Sequence, residues 1–169
     1  MIFNFKGKIQ SSSFVDNLLS KSPGNIVIIR PIYYKQIKKS EISLSILNLI
    51  VGKLESLYQD DLTFKMVMCD DDGPIIFTVI NRDSFALKYD MSMFEDEDEL
   101  GKFGVYMVYD KIENRFIKRS EANVDYRKCP MCVNEYISCD INNHHNRDEI
   151  IKYLSSKYLE LRKEFFSVI

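Results

Sequence analysis

The chain has no tryptophan and, in 169 residues, only two histidines, four cysteines, four prolines and six glycines. Each scarcity excludes something. Four cysteines, three of them bunched beside both histidines, fit metal binding or free thiols in a reducing compartment better than a disulfide framework. Prolines and glycines are too few and too scattered for a linker or a low-complexity tract. No apolar run approaches the roughly 18 residues of a membrane helix. Met1 to Gln10 alternates phenylalanine with polar residues and lacks the apolar stretch of a secretory leader. The sequence therefore predicts a cytoplasmic protein with no membrane span. An excess of positive charge is also missing, since 23 basic and 25 acidic residues leave a net −2. Nonspecific nucleic-acid binding needs a basic footprint, so nucleic acid is the less favoured partner.

What is present is ordinary for a globular chain: 46% apolar and 28% charged residues, enough to bury a sizeable core. We expect one α+β domain over 1–169, with 1–39 as an N-terminal extension packed on it. Residues 2–9 read as a short strand and 11–19 as a helix capped by the serines at 11–13. Ile26 to Ile29 is a β-branched run that reads as a buried strand. Ser40 to Tyr58 is an amphipathic helix with a stripe of Leu47, Ile50, Val51, Leu54, Leu57 and Tyr58; Gly52 within it suggests close packing against a neighbour.

From Leu62 the apolar period changes to two. Strands are expected over 62–69, 75–80, 85–89, 102–110 and 115–119, the first two joined by the acidic turn Asp70-Asp71-Asp72-Gly73-Pro74. These strands would form one antiparallel meander flanked by helices. Asn146, with Glu149 three residues on, reads as a capping box. It opens a last helix whose stripe is Ile150, Leu154, Tyr158, Leu161 and Phe165.

The chemistry gathers in 128–147. Cys129, Cys132, Cys139 and His144 have the spacing C-x2-C-x6-C-x4-H, with His145 as the neighbouring choice for the fourth place. Thiolate and imidazole are the ligands zinc prefers, and four of them close a tetrahedral structural site. The Cys-Pro-x-Cys start resembles a zinc-ribbon knuckle, although no second C-x2-C follows elsewhere. It also resembles the C-P-x-C centre of glutaredoxins, but the residues after Cys132 show no helical stripe. No histidine precedes His144, so the H-x-E that accompanies P-C-x-x-C in cytidine-deaminase-like enzymes is absent. The remaining reading is that the thiols simply pack.

The second feature is an acidic run, Glu95-Asp96-Glu97-Asp98-Glu99, preceded by Met93 and Phe94. Residues 61–110 carry four basic and twelve acidic groups. The run reads as a loop or short helix suited to a basic, amphipathic segment of another protein. Reversing Glu95, Glu97 and Glu99 to lysine is expected to slow that association and spare the fold.

No catalytic constellation stands out, so the expected function is a non-catalytic protein-binding accessory with zinc, if held, as a fold staple. The element order from Ser40 is similar to that of the small acidic chaperones of type III secretion, which implies the same kind of role. Two alternatives stand beside it. One is a zinc-dependent nucleic-acid accessory using Arg115, Lys118, Arg119, Arg127 and Lys128. The other is an enzyme whose site the sequence does not display.

Overall fold

Asn25–Pro31 forms β1, and this early strand takes the middle of the sheet. The computed structural model describes residues 20–21, 23–37 and 40–166. The strand and helix expected over 2–19 lie outside those residues. After β1 come α1 (Tyr34–Ile37), α2 (Glu41–Tyr58), β2 (Leu62–Asp70), β3 (Gly73–Ile80) and α3 (Ser84–Glu97). They are followed by β4 (Gly104–Asp110), β5 (Arg115–Ile117), α4 (Tyr136–Ile141) and α5 (Arg147–Phe166). The strand order is β2-β3-β1-β4-β5, with every neighbouring pair antiparallel. The chain is α+β, as its patterning predicts.

The β2–β3 hairpin forms where expected, with Met66 opposite Phe77 and the turn closed by Gly73 at φ 109°. Asp70 accepts the Asp72 amide at 2.9 Å and pairs with the buried Arg30, so the triple aspartate is a turn. The simple meander needs two corrections. First, β1 enters between β3 and β4, pairing Val27 with Thr78 on one side and Val108 on the other. Second, residues 84–97 are helical. Phe85, Leu87 and Tyr89 alternate as in a strand, but Asp83 caps the segment by accepting from the amides of Phe85 and Ala86. Leu87, Met91 and Phe94, at spacings of four and three, then bury one helical face.

Side chains divide by parity across the sheet. Val27, Ile29, Ile76, Ile80, Tyr106 and Val108 face the helices and share one core with α2, α3 and α5. Ile26, Ile28, Ile75, Phe77, Val79 and Tyr109 face the other way, with Phe64, Met66 and Met107 packed beside them. Two expectations about α2 are revised. Leu57 is 53% exposed and lies outside the buried stripe. A Cβ on Gly52 would meet nothing within 4 Å, so no close packing explains that glycine. In α5, Ile150 and Leu154 are fully buried and Tyr158 and Leu161 half-buried. Phe165's side chain lies outside the described ones. Asn146 and Glu149 form the expected reciprocal cap, each bonding the other's amide.

Candidate functional site

Where α3 ends against the start of β4, the chain buries an ion network. Glu95 is 4% exposed. One carboxylate oxygen pairs with Arg119 at 2.6 Å; the other accepts the Tyr106 amide at 3.1 Å and lies 3.4 Å from Arg127. Arg127, itself buried, also donates to the carbonyls of Gly104 (2.7 Å) and Lys102, and lies 5.0 Å over the Tyr136 ring. Lys88 donates to the Tyr106 carbonyl at 2.9 Å from two turns earlier in α3. Burial holds its ammonium below the ordinary range, against the opposing pull of Glu95. Lys88 and Glu95 both belong to α3, whereas Arg119 and Arg127 lie in the segment after β5, so Glu95 ties α3, β4 and that segment together. Gly101 lets α3 come this close, since a Cβ there would lie 1.9 Å from the Phe94 carbonyl oxygen.

Arg127 leads directly into the cysteine window, where the backbone folds into a knuckle. The Tyr136 amide bonds the Arg127 carbonyl at 2.9 Å and the Cys129 amide the Asn134 carbonyl at 2.8 Å, while Lys128 and Glu135 form a β-bridge. Cys139 follows on α4, and the His144 amide bonds back to the Cys139 carbonyl at 3.0 Å. The result gathers Cys129, Cys132, Cys139 and His145, whose ligand atoms all lie within 4.8 Å of one another. Cys129 Sγ is 3.3 Å from His145 Nε2, and Cys132 Sγ is 3.4 Å from Cys139 Sγ. Donors around a tetrahedral zinc with ~2.3 Å zinc–sulfur bonds stand about 3.8 Å apart. Three thiols and one imidazole are thus close enough to bind a metal.

Of the two histidines, the structure selects the second. His145 is half-buried and faces the thiols, whereas His144 is exposed and stacks edge-on against His145 at 4.9 Å. Spacing alone favours neither residue; the backbone turn through Asn143, at φ 48°, decides it. Burial pushes the Cys139 thiol up to about 12, with Cys132 and Cys129 adding to the effect. The Asn134 amide pulls Cys132 down. Burial, then the neighbouring His144, lowers His145, a shift toward the neutral imidazole that ligates metal.

The knuckle is fastened to the far side of the molecule by residues the sequence reading did not single out. Tyr33, fully buried at the end of β1 with φ 56°, places its hydroxyl 2.7 Å from Cys129 Sγ. The Tyr33 amide in turn donates to the Tyr136 hydroxyl at 3.1 Å. Burial and the Cys129 contact raise the Tyr33 phenol, which keeps it a hydrogen-bond donor. Lys35 and Gln36 of α1 then reach Asp140. On the other flank, the Tyr153 hydroxyl of α5 donates to the Pro130 carbonyl at 3.2 Å.

Beside the knuckle opens a cleft of about 510 Å³, whose walls carry both signs of charge: Lys102, Arg127 and Lys128 beside Glu95, Asp96, Glu99 and Asp125, with the rings of Tyr126 and Tyr153. Tyr126 is 76% exposed at its edge. The size is that of a small-molecule site.

The structure splits the acidic run. Phe94 and Glu95 are buried, Met93 and Asp98 half-buried, and Asp96, Glu97 and Glu99 exposed. Asp96 pairs with Arg119, Asp98 with Lys53 and Glu99 with Lys102. Triple reversal at 95, 97 and 99 would therefore not spare the fold, because it puts a lysine among Lys88, Arg119 and Arg127. The basic strip is likewise largely spoken for. Arg115 pairs with Glu113 and Glu121, and Arg119 and Arg127 serve Glu95.

With this geometry in view, one comparison is informative. Residues 6–161 match the model of the CitX family, described as apo-citrate lyase phosphoribosyl-dephospho-CoA transferase. No curated protein matches the chain. A match to a transferase family over nearly the whole length overturns the expectation of a non-catalytic accessory protein, along with its chaperone-like and nucleic-acid alternatives. No motif weighed in the sequence pointed to transfer chemistry. Among the described residues, no helix is long and apolar enough to cross a membrane.

Proposed function

Because the chain belongs to the CitX family of apo-citrate lyase phosphoribosyl-dephospho-CoA transferases, we propose that it transfers a phosphoribosyl-dephospho-CoA group to a protein acceptor, apo-citrate lyase. The observation that best supports a location is the cleft beside the knuckle. Lys128, and Lys102 if it exchanges Glu99 for the donor, would meet phosphate at its rim, and Tyr126 and Tyr153 offer faces on which a base can stack. The buried Glu95–Arg127 pair would give that cleft a rigid floor. Incubating the protein with a donor carrying the phosphoribosyl-dephospho-CoA group and with apo-citrate lyase should add the mass of the transferred group to the acceptor. Lys102→Glu with Lys128→Glu should raise the KM for the donor. An acceptor whose mass never changes would refute the transferase reading, and an unmoved donor KM would relocate the site.

Within the same proposal, Cys129, Cys132, Cys139 and His145 hold one structural zinc, and His144 does not. Four protein ligands leave no open coordination position, so the ion would staple α4 and the start of α5 to the knuckle and take no part in the reaction. The Tyr33 hydroxyl would orient the Cys129 thiolate from outside the coordination sphere. Free thiols at Cys69, Cys129, Cys132 and Cys139 support a reducing, cytoplasmic setting.

Zinc selects the folded state, so free metal a thousandfold above its Kd adds about 4 kcal/mol. Chelation should therefore lower Tm by on the order of 10 °C. Cys139→Ser should reproduce the loss and His144→Ala should not. Native mass spectrometry of protein purified without chelator checks the premise, and a mass equal to the bare chain would sink it.

A further inference from the structure

The outward face of α3 is apolar where a surface helix is usually polar. Phe85, Tyr89 and Met93 follow one another at four-residue spacing along it, with Phe85 38% and Tyr89 48% exposed and Met93 half-buried. Across from Met93, the 53%-exposed Leu57 ends α2, and between the two helices lies an open groove of about 500 Å³. Contiguous exposed aromatics and methionine on a folded chain mark an interaction surface more often than leftover core. The groove's charge is one-sided. Its lining carries Asp90, Glu97 and Asp98 against Arg82 alone, a balance of −2. Arg82 is shared between Asp90 and Asp61, Asp98 pairs with Lys53 beyond the lining, and Glu97 is unpaired among the described residues. A second copy of this chain would bring like charges together on this face, which is costly. A partner segment with lysine or arginine beside apolar side chains would satisfy both the stripe and the charge.

We propose that the outer face of α3, with Leu57, is the docking surface for such a basic, apolar segment of the acceptor protein. The choice of apo-citrate lyase as that acceptor rests on the transferase reading above. The surface is separate from the cleft, since the groove and the cleft share no lining residue. Docking here would hold the acceptor while leaving the cleft open to the donor. Of the acidic run, only Met93, Phe94, Glu97 and Asp98 border the groove.

Calorimetric titration of apo-citrate lyase into the full-length protein, at low and at high salt, tests this. Wild type should bind, and the double variant Tyr89→Ser/Met93→Ser should bind at least about tenfold more weakly. Glu97→Lys should slow association at low salt and make little difference at high salt. Glu160→Lys, on α5, serves as the charge control and should leave binding unchanged. Thermal melts of Glu97→Lys and Glu160→Lys should match wild type, and the double variant, which trims the half-buried Met93, should still unfold in one cooperative transition well above the temperature of the titration.

Failure of wild type to bind, or equal affinity in the double variant, would overturn the proposal. A wild-type dimer that the double variant abolishes would also overturn it, by making a second copy the occupant. The transfer assay separates the two readings. Full transfer by the double variant with an unchanged acceptor KM removes the docking surface and leaves the transferase. Surface-dependent binding without transfer does the reverse.

Discussion

Glu95→Ala is expected to cost about 3–5 kcal/mol, because it removes the one anion that Arg119, Arg127 and Lys88 share in a buried site. Against a total stability of roughly 5–15 kcal/mol, that loss leaves a marginal fold. The desolvation already suffered by the cations is what makes the change severe: in the variant Arg119 keeps Asp96, but Arg127 and Lys88 keep only backbone carbonyls as hydrogen-bond partners. Three attachments are lost together, since the same carboxylate holds the Tyr106 amide, the segment after β5 and the root of the knuckle. Glu95→Gln keeps an acceptor for the amide and should lose less. Glu99→Lys, four residues along the same acidic run but exposed, should change stability by no more than about 0.5 kcal/mol. Urea unfolding followed by circular dichroism measures all three. Equal midpoints for Glu95→Ala and Glu99→Lys would mean that the network contributes nothing.

Leu154→Asp should be comparably damaging. Leu154 is fully buried in the core that α5 shares with α2 and the sheet. Removing such a leucine costs about 2–5 kcal/mol, and an unpaired carboxylate in its place adds to this unless it takes up a proton. The damage should reach the knuckle, because Tyr153, the preceding residue, fastens α5 to Pro130. Leu159→Asp supplies the comparison, since that side chain is 57% exposed on the same helix. A melting temperature for Leu154→Asp as close to wild type as that of Leu159→Asp would contradict this packing.

Patterns that depend on neighbours in sequence were legible. The β2–β3 hairpin follows from alternation around an Asp-Gly turn, α2 from its stripe, and the start of α5 from the Asn146/Glu149 cap. The gathering of Cys129, Cys132 and Cys139 with a neighbouring histidine follows from ligand chemistry and spacing. What failed depends on three-dimensional placement. Phe85, Leu87 and Tyr89 satisfy a period of two over five residues, and only the longer Leu87/Met91/Phe94 spacing with the Asp83 cap reveals the helix. A run of five acids reads as solvated, yet its first member is the buried centre of an ion network, because the arginines that neutralise it arrive 24 and 32 residues later. His145 and His144 are equivalent in spacing and differ only in which way a left-handed turn directs them. The transferase reading came from the family match, since no short motif weighed in the sequence carried it.

The central place of β1 has a consequence for how the chain is made. Its first sheet partner, β3, lies about fifty residues downstream (the Thr78 hydroxyl meets the Val27 carbonyl across 51), and β4 comes later still. During synthesis the strand Ile26-Val27-Ile28-Ile29 therefore emerges before either of its two sheet neighbours, β3 and β4, can pair with it. Such segments are the usual seeds of misassembly. Pairing at this sequence separation is also slow, because loop closure precedes any gain from contact. A chain stopped just before β4 should leave one edge of β1 bare and scatter light as it aggregates, while the full chain stays clear. The cysteine knuckle, whose Cys129 meets Tyr33 across 96 residues, would be among the last parts to assemble.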